Sequence, residues 1–318
     1  MNQERGIRYF PIGLFASVMG LAGVTMSLKL WENLYEIQSI ISTIFLIITS
    51  ILFVINAGIL LYRLFRYGSD VKVDFDHPLK VNFFAAISIS LLLLAALYYE
   101  IHVTLSFVVW GMGTILQLLL TLIVLKRLLG NTTFELSQFN PAWFIPIVGN
   151  IVVPLAGVNH VSQDINLIFF SIGILFSIIY MVLFVFRMYF QKPLPLKLIP
   201  TIFIILAPPG IGFVSYIKIT DQMDVFAYIL FGIAFYLGLL LVIQIKQFIT
   251  IPFFITWWAY LFPSAAVTNA TFYMYLETEK IYYYWFFHIQ IAGLIILTIY
   301  LLWKTIALAR TRKLCLKD

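Results

Sequence analysis

All twelve prolines of this 318-residue chain lie in, or on the approach to, alternate members of a series of apolar segments. Pro11 opens the first segment and Pro78 the third. Pro141, Pro146 and Pro154 punctuate the fifth, Pro193, Pro195, Pro200, Pro208 and Pro209 lead into and break the seventh, and Pro252 and Pro263 bracket the core of the ninth. The segments between them contain none. A proline inside a helix removes a backbone hydrogen bond and kinks the rod, at a cost of about 3 kcal/mol. In hydrocarbon the freed carbonyls are tolerated only where protein buries them or a water-filled cavity receives them. The alternation therefore predicts five broken inner helices, each followed by an intact outer one, which is how a pore could be built.

Ten stretches free of Asp, Glu, Lys and Arg reach or approach the ~20 residues needed to cross ~30 Å of hydrocarbon. They run over 9–28, 37–62, 81–99, 103–125, 136–159, 165–186, 198–217, 225–245, 247–276 and 281–303. With 62% hydrophobic and 11% charged residues, the chain reads as an integral membrane protein forming a single transmembrane domain over 1–318. Lys and Arg accumulate in cytoplasmic loops. Ten spans with both termini inside place 17 of the 20 basic residues on one side, from Arg5 and Arg8 to Lys317, and leave only Lys29, Lys218 and Lys280 on the other. The net charge of +6 is then a topology signal and calls for no nucleic-acid partner. Arg5 and Arg8 before an apolar run imitate a signal peptide, but nine further spans favour a retained first helix. Cys315 is the sole cysteine, so no internal disulfide or thiolate metal cluster is expected.

Even segments such as 37–62 and 103–125 are dominated by Leu, Ile, Val and Phe, which suits a lipid-facing ring. Odd segments mix Gly, Ser, Asn and Ala with aromatics. In the first, Gly13, Ser17, Gly20 and Val24 recur at helical spacing and form a face of small side chains. That face serves either as a pore lining or as close helix packing, which small residues also permit. Three prolines and two glycines between Asn140 and Gly157, and the run from Leu206 through Pro208 and Pro209 to Gly212, cannot stay regular helix. Exposed backbone dipoles at such breaks can hold ions; a plain structural kink is the other reading.

No acidic or basic residue falls within the ten apolar stretches. Such residues mark proton relays and counter-ions in membranes, so their absence argues against a carboxylate-driven pump. A conduit without fixed charge sorts ions largely by dehydration cost, and cytoplasmic cations would raise anion concentration at its inner mouth. His77, His102, His160 and His288 are scattered, with His288 read as an interhelical hydrogen-bond partner. No metal-ligand spacing, nucleophile–base arrangement or phosphate loop is present. Neither an enzyme nor a cofactor is expected.

In the ninth segment the aromatic run Trp257, Trp258, Tyr260 and Phe262 meets Pro263 and then turns to small residues. A bulky ring beside a kink can project into a lumen, although aromatic packing between helices is the commoner role. Here the sequence resembles the tellurite-resistance/dicarboxylate transporter family, which includes bacterial TehA and the plant slow-type anion channels. The matching fragments are Phe10–Gly23, Phe75–Phe84, Pro141–Gly149, Pro200–Pro209 and Trp257–Ala266, in that order along the chain.

The resemblance implies an all-α membrane protein of ten helices. They would form five hairpins in quasi-fivefold arrangement around a central pore, with the kinked odd-numbered helices inside and three subunits assembling as a homotrimer. It implies a bacterial inner-membrane location, with small inorganic anions and the lipid bilayer as partners, and a phenylalanine gate at Phe262. Pro146, Pro154, Pro208, Pro209 and Pro263 are expected to shape the lumen, and Gly13, Ser17 and Gly20 are candidates to line it. The function expected is a channel for chloride or nitrate. A proton-coupled carrier of dicarboxylate, sulfite or tellurite-related anions is the alternative, and a scaffold without transport is a third class.

Overall fold

The structure, a computed structural model, describes residues 6–130 and 135–316. Two of the basic residues used above, Arg5 and Lys317, lie outside the described residues. The chain enters through two 3-10 turns, Ile7–Tyr9 and Ile12–Leu14, and continues as α1 (Phe15–Leu34), α2 (Ile40–Arg66) and a short α3 (Gly68–Asp76). Next come α4 (Lys80–Tyr98) and α5 (Val103–Gly130). The fifth apolar segment is divided into a 3-10 turn Pro141–Phe144, α6 (Ile145–Val152) and α7 (Pro154–Gly157), followed by the unbroken α8 (Gln163–Phe190). A 3-10 stretch, Leu196–Leu206, leads into α9 (Ala207–Thr220), then α10 (Val225–Ile243) and α11 (Ile245–Ile249). A last 3-10 stretch, Ile255–Tyr260, opens α12 (Leu261–Thr278), and α13 (Ile281–Arg310) ends the bundle.

Among the described residues, eight helical segments are long and apolar enough to cross a membrane. The other two expected spans are the divided fifth segment and the ninth. In the latter, Ser264, Thr268, Asn269 and Thr271 dilute the apolar character. Both segments are wrapped by protein, so neither needs a lipid-compatible surface. Residues Pro141–Gly157 are buried throughout, as is nearly all of α12 up to Phe272.

Burial alternates as the prolines do. In the first, third and seventh segments 78–83% of the most apolar window is buried, against 22–39% in the second, fourth, sixth, eighth and tenth. The exposed residues of the second set are Ile, Leu, Val and aromatics, such as Ile44, Ile48, Ile51 and Ile55 along α2. The buried segments pack in a cycle: α1 on α4, α4 on α6, α6 on α9, α9 on α12, and α12 back on α1.

The prolines work differently from the mid-helix kinks anticipated above. Pro146, Pro208 and Pro209 occupy the first turn of α6 or α9, and Pro154 begins α7. Pro263 sits in the first turn of α12. The first amides of a helix have no intrahelical acceptor, so proline costs little there. The stretch before α6, α9 and α12 tightens to 3-10 geometry. At the division between α6 and α7, side chains cover the local carbonyls: Ser215 Oγ donates to Ile151 O at 2.6 Å and Trp110 Nε1 to Val153 O at 3.0 Å. Protein donors satisfy both carbonyls.

The helices also outrun the charge-free stretches, so charged residues are buried at their ends. Glu32 is fully buried and accepts the amides of Ile41 (2.7 Å) and Ser42 (3.2 Å), capping α2. Arg63 donates to Phe10 O (2.9 Å) and to Asp74 (2.8 Å). At the same end of the bundle Arg8 pairs with Asp70, Lys80 with Asp74 and Arg127 with Asp76, and the Gly6 amide donates to Cys315 O. The two ends of the described chain therefore meet at one end of the bundle. Burial pushes the Cys315 thiol above its ordinary pKa. His288 meets the interhelical expectation, with Nε2 2.9 Å from the hydroxyl of Tyr35.

Candidate functional site, a cavity inside the ring

Each buried segment turns a few apolar side chains towards a common space. Ala16 and Met19 come from α1, Phe83 and Ile89 from α4, Ile145 and Val148 from α6, and Ile204 and Ala207 from the seventh segment. Trp258, Ala259, Phe262 and Pro263 come from the ninth. Together they enclose a cavity of about 30 Å³, room for about two water molecules. Since all five segments contribute, the cavity lies within the ring.

The wall offers almost no polar atoms, for two local reasons. Hydroxyls on the buried helices fold back onto their own backbones: Ser17 donates to Leu14 O (2.6 Å), Ser90 to Ala86 O (2.6 Å) and Thr268 to Ser264 O (2.9 Å). Others are used between helices, as where Ser27 donates to Asn269 Oδ1 at 2.6 Å. Trp258, the one lining residue with a polar side-chain atom, donates its indole N–H to Thr305 at 3.0 Å.

Phe262 is 4% exposed. Its aromatic neighbours are tethered, Trp257 Nε1 to Pro252 O at 3.1 Å and Tyr260 Oη to Phe248 O at 3.1 Å. A phenyl ring has no such anchor, and only packing holds it. The ring of Phe262 rests against Gly23 of α1.

Of the expected pore-shaping prolines, Pro263 borders the cavity itself. Pro146 and Pro208 each follow a lining residue, Ile145 and Ala207, while Pro154 and Pro209 stand away from the lining. The small-residue face of the first segment is used mainly for contact. A Cβ on Gly20 would come within 2.9 Å of Leu261, and one on Gly13 within 3.6 Å of the Phe83 ring. Ser17 is spent on its own helix. The lining of α1 falls instead to Ala16 and Met19, which the sequence reading passed over. Ile89, Val148 and Ile204 carry no signal that separates a lining residue from a core residue.

Residues 9–306 match the family model described as voltage-dependent anion channel, SLAC1. An uncharacterised transporter of Methanocaldococcus jannaschii is 24% identical over 293 residues, covering 85% of this chain and 86% of the relative. The tellurite resistance protein TehA homologue of Haemophilus influenzae is 25% identical over 300 residues, covering 92% and 91%. The S-type anion channel SLAH2 of Arabidopsis thaliana is 27% identical over 269 residues, which are 82% of this chain but 52% of the plant protein.

Proposed function

The chain belongs to the SLAC1 family of voltage-dependent anion channels, and on that premise we propose that it conducts small monovalent anions, chloride and nitrate among them, through a pore closed by Phe262. The observation that carries this reading is the convergence of all five buried segments on one narrow, apolar cavity with Phe262 in its wall. Ten membrane crossings in five hairpins account for the alternating burial and for the cyclic packing of the inner segments. On this reading the termini face the cytoplasm of a bacterial inner membrane, and three subunits assemble with one pore each.

A cavity with room for about two waters does not hold a hydrated anion, and on this reading the ring of Phe262 moves when the pore conducts. With no fixed charge in the wall, an ion crosses by shedding water, and weakly hydrated anions cross most readily. A proton-coupled carrier is the competing reading, favoured by relatives described as a transporter and as a tellurite resistance protein. Single-channel recording in planar bilayers separates the two. Phe262→Ala is expected to give discrete anion-selective openings far exceeding the wild-type current. Unchanged currents from a well-folded variant would remove Phe262 from the gate, and saturable, pH-driven flux without unitary steps would favour the carrier.

A further inference from the structure

We propose that the side-chain amide of Asn269 is an anion-coordinating donor on the side of Phe262 away from the termini, suited to a small monovalent anion that has shed part of its water. The proposal deepens the anion-channel reading and rests on it for the existence of the pore.

The polar side chains of α12 follow one pattern, from which Asn269 departs. Ser264 donates to Tyr260 O (2.7 Å), Thr268 to Ser264 O (2.9 Å), Thr271 to Val267 O (2.9 Å) and Thr278 to Met274 O (2.6 Å). A helical hydroxyl reaches the carbonyl one turn back and spends its proton there. A carboxamide instead carries an acceptor oxygen and two N–H donors. The oxygen of Asn269 accepts from Ser27 of α1 at 2.6 Å. The other acceptor within reach of Ser27, Gly23 O, is farther at 3.2 Å, so the Ser27 proton belongs to Asn269. That bond fixes the carboxamide with its oxygen on the seam and its nitrogen directed elsewhere.

Among the described residues the Asn269 nitrogen makes no hydrogen bond. Asn269 is 3% exposed, and the open edge includes this nitrogen, unlike the sealed oxygens of Asn82 and Asn150. An N–H donor taken out of bulk water without a partner is unfavourable. The protein supplies none here, and a passing anion would.

Register along the seam places the donor. Gly20 lies against Leu261, Gly23 against Phe262 and Ala265, and Ser27 bonds Asn269, so the contacts climb away from the termini one turn at a time. Asn269 is seven residues beyond Phe262 and returns to the same face of α12, about 10 Å further along the axis. Phe262 touches the seam and borders the cavity together. Asn269 repeats that position two turns on, and Ala265 and Ala266 between them carry only methyl groups.

A neutral donor suits a conduit. It replaces one water of an anion's shell without the grip of a fixed charge, and conduction needs binding weak enough to release the ion. One uncharged N–H offsets too little of the hydration of a dianion, so chloride or nitrate is the class that fits.

Currents in the Phe262→Ala background test the donor. Adding Asn269→Leu should lower chloride conductance several-fold and change the chloride-to-nitrate permeability ratio. Asn269→Asp keeps the shape, and an oxygen can still accept from Ser27, but it presents a negative charge. Its chloride current should nearly vanish at neutral pH and return on acidification, when the carboxyl becomes an O–H donor. An asparagine that only ties α1 to α12 gives no such reversible block. Currents in Asn269→Asp that match the parent at neutral pH, or a block that acid does not relieve, overturn the proposal. If Asn269→Leu does not fold, Asn269→Asp carries the test. If Phe262→Ala passes no anion current, the channel reading falls, and bromide located by anomalous scattering in wild-type crystals then decides the site. Bromide within hydrogen-bond reach of the Asn269 nitrogen keeps it, and none there strikes it.

Discussion

Gly23 of α1 sits directly behind the ring of Phe262: a Cβ built on Gly23 would lie 3.4 Å from Cδ2 of that ring and 3.0 Å from Cβ of Ala265. If Phe262 is the proposed gate, its ring moves against Gly23, where a Cβ would press on it. Gly23→Ala is expected to hold the ring in place and to lower basal anion current. The same substitution in Phe262→Ala should have little effect, because no ring remains to be restrained. Comparable loss in both backgrounds, measured in bilayers, would disconnect Gly23 from the gate.

Gly149, within α6, leaves room for a side chain of the neighbouring helix. Gln117 of α5 reaches across it to donate to Pro146 O at 2.6 Å, while its Oε1 accepts from Ser88 at 2.7 Å. A Cβ on Gly149 would overlap the Gln117 carboxamide. Gly149→Ala should therefore destabilise the protein by about 1–3 kcal/mol through overpacking, with a further cost of about 1 kcal/mol for each buried hydrogen bond that breaks. Thermal unfolding in detergent measures this. Gly58, whose added Cβ would meet nothing within 4 Å, is the control expected to tolerate alanine.

Arg63 joins the entry loop to the connection between α2 and α4. Its buried guanidinium binds Phe10 O and Asp74, and Asp74 is shared with Lys80 at 3.0 Å. Arg63→Met strands a partly buried carboxylate, and breaking such a pair costs about 3–5 kcal/mol. Because Lys80 remains, the loss should fall at the lower end of that range. Adding Asp74→Asn should recover part of it. A double variant no more stable than Arg63→Met would show that the Phe10 carbonyl contact, and not the ion pair, is what matters.

Asp224 caps α10 and lies outside the membrane-spanning segments. The Tyr216 hydroxyl, followed by the amides of Ala227 and Phe226, holds its carboxyl below the ordinary value. For a carboxyl lowered on folding, the stabilisation is fully present above the unfolded-state pKa and is lost as pH falls through the folded value. Acidification below the ordinary carboxylate range should therefore loosen the turn between α9 and α10. In Asp224→Asn that part of the pH dependence should disappear, as read by hydrogen exchange at the amides of Phe226 and Ala227.

Much of the architecture was legible because burial and proline placement answer to one constraint, the need to satisfy backbone groups away from water. The alternating segments follow from it directly. How each segment breaks did not follow, since Pro146 or Pro208 looks the same in sequence whether it kinks a helix or starts one. The 3-10 stretch of Leu196–Leu206 had no separate signature. At the cavity, Phe262 came from the family resemblance, since a bulky ring beside Pro263 is also what packing between helices would leave. Ala16 and Met19 were not legible, because glycine and serine draw attention to the face that the first segment uses for packing against Phe83 and Leu261. The charged ends were hidden for another reason. Glu32, Arg63 and Lys218 fall just outside the charge-free stretches but inside helices that continue past them.

The inward-folded hydroxyls have a consequence beyond ion sorting. Protons leak through membranes along threads of hydrogen-bonded water, handed from one molecule to the next. Such a thread needs either continuous liquid or wall groups to bridge its gaps. The cavity beside Phe262 has room for about two waters, and the hydroxyls of Ser17, Ser90 and Thr268 on the buried segments bond to their own backbones. Apolar walls offer the thread no such groups. If the proposed pore is shut in this way, a cell keeps its energised membrane while holding in place a route for other ions.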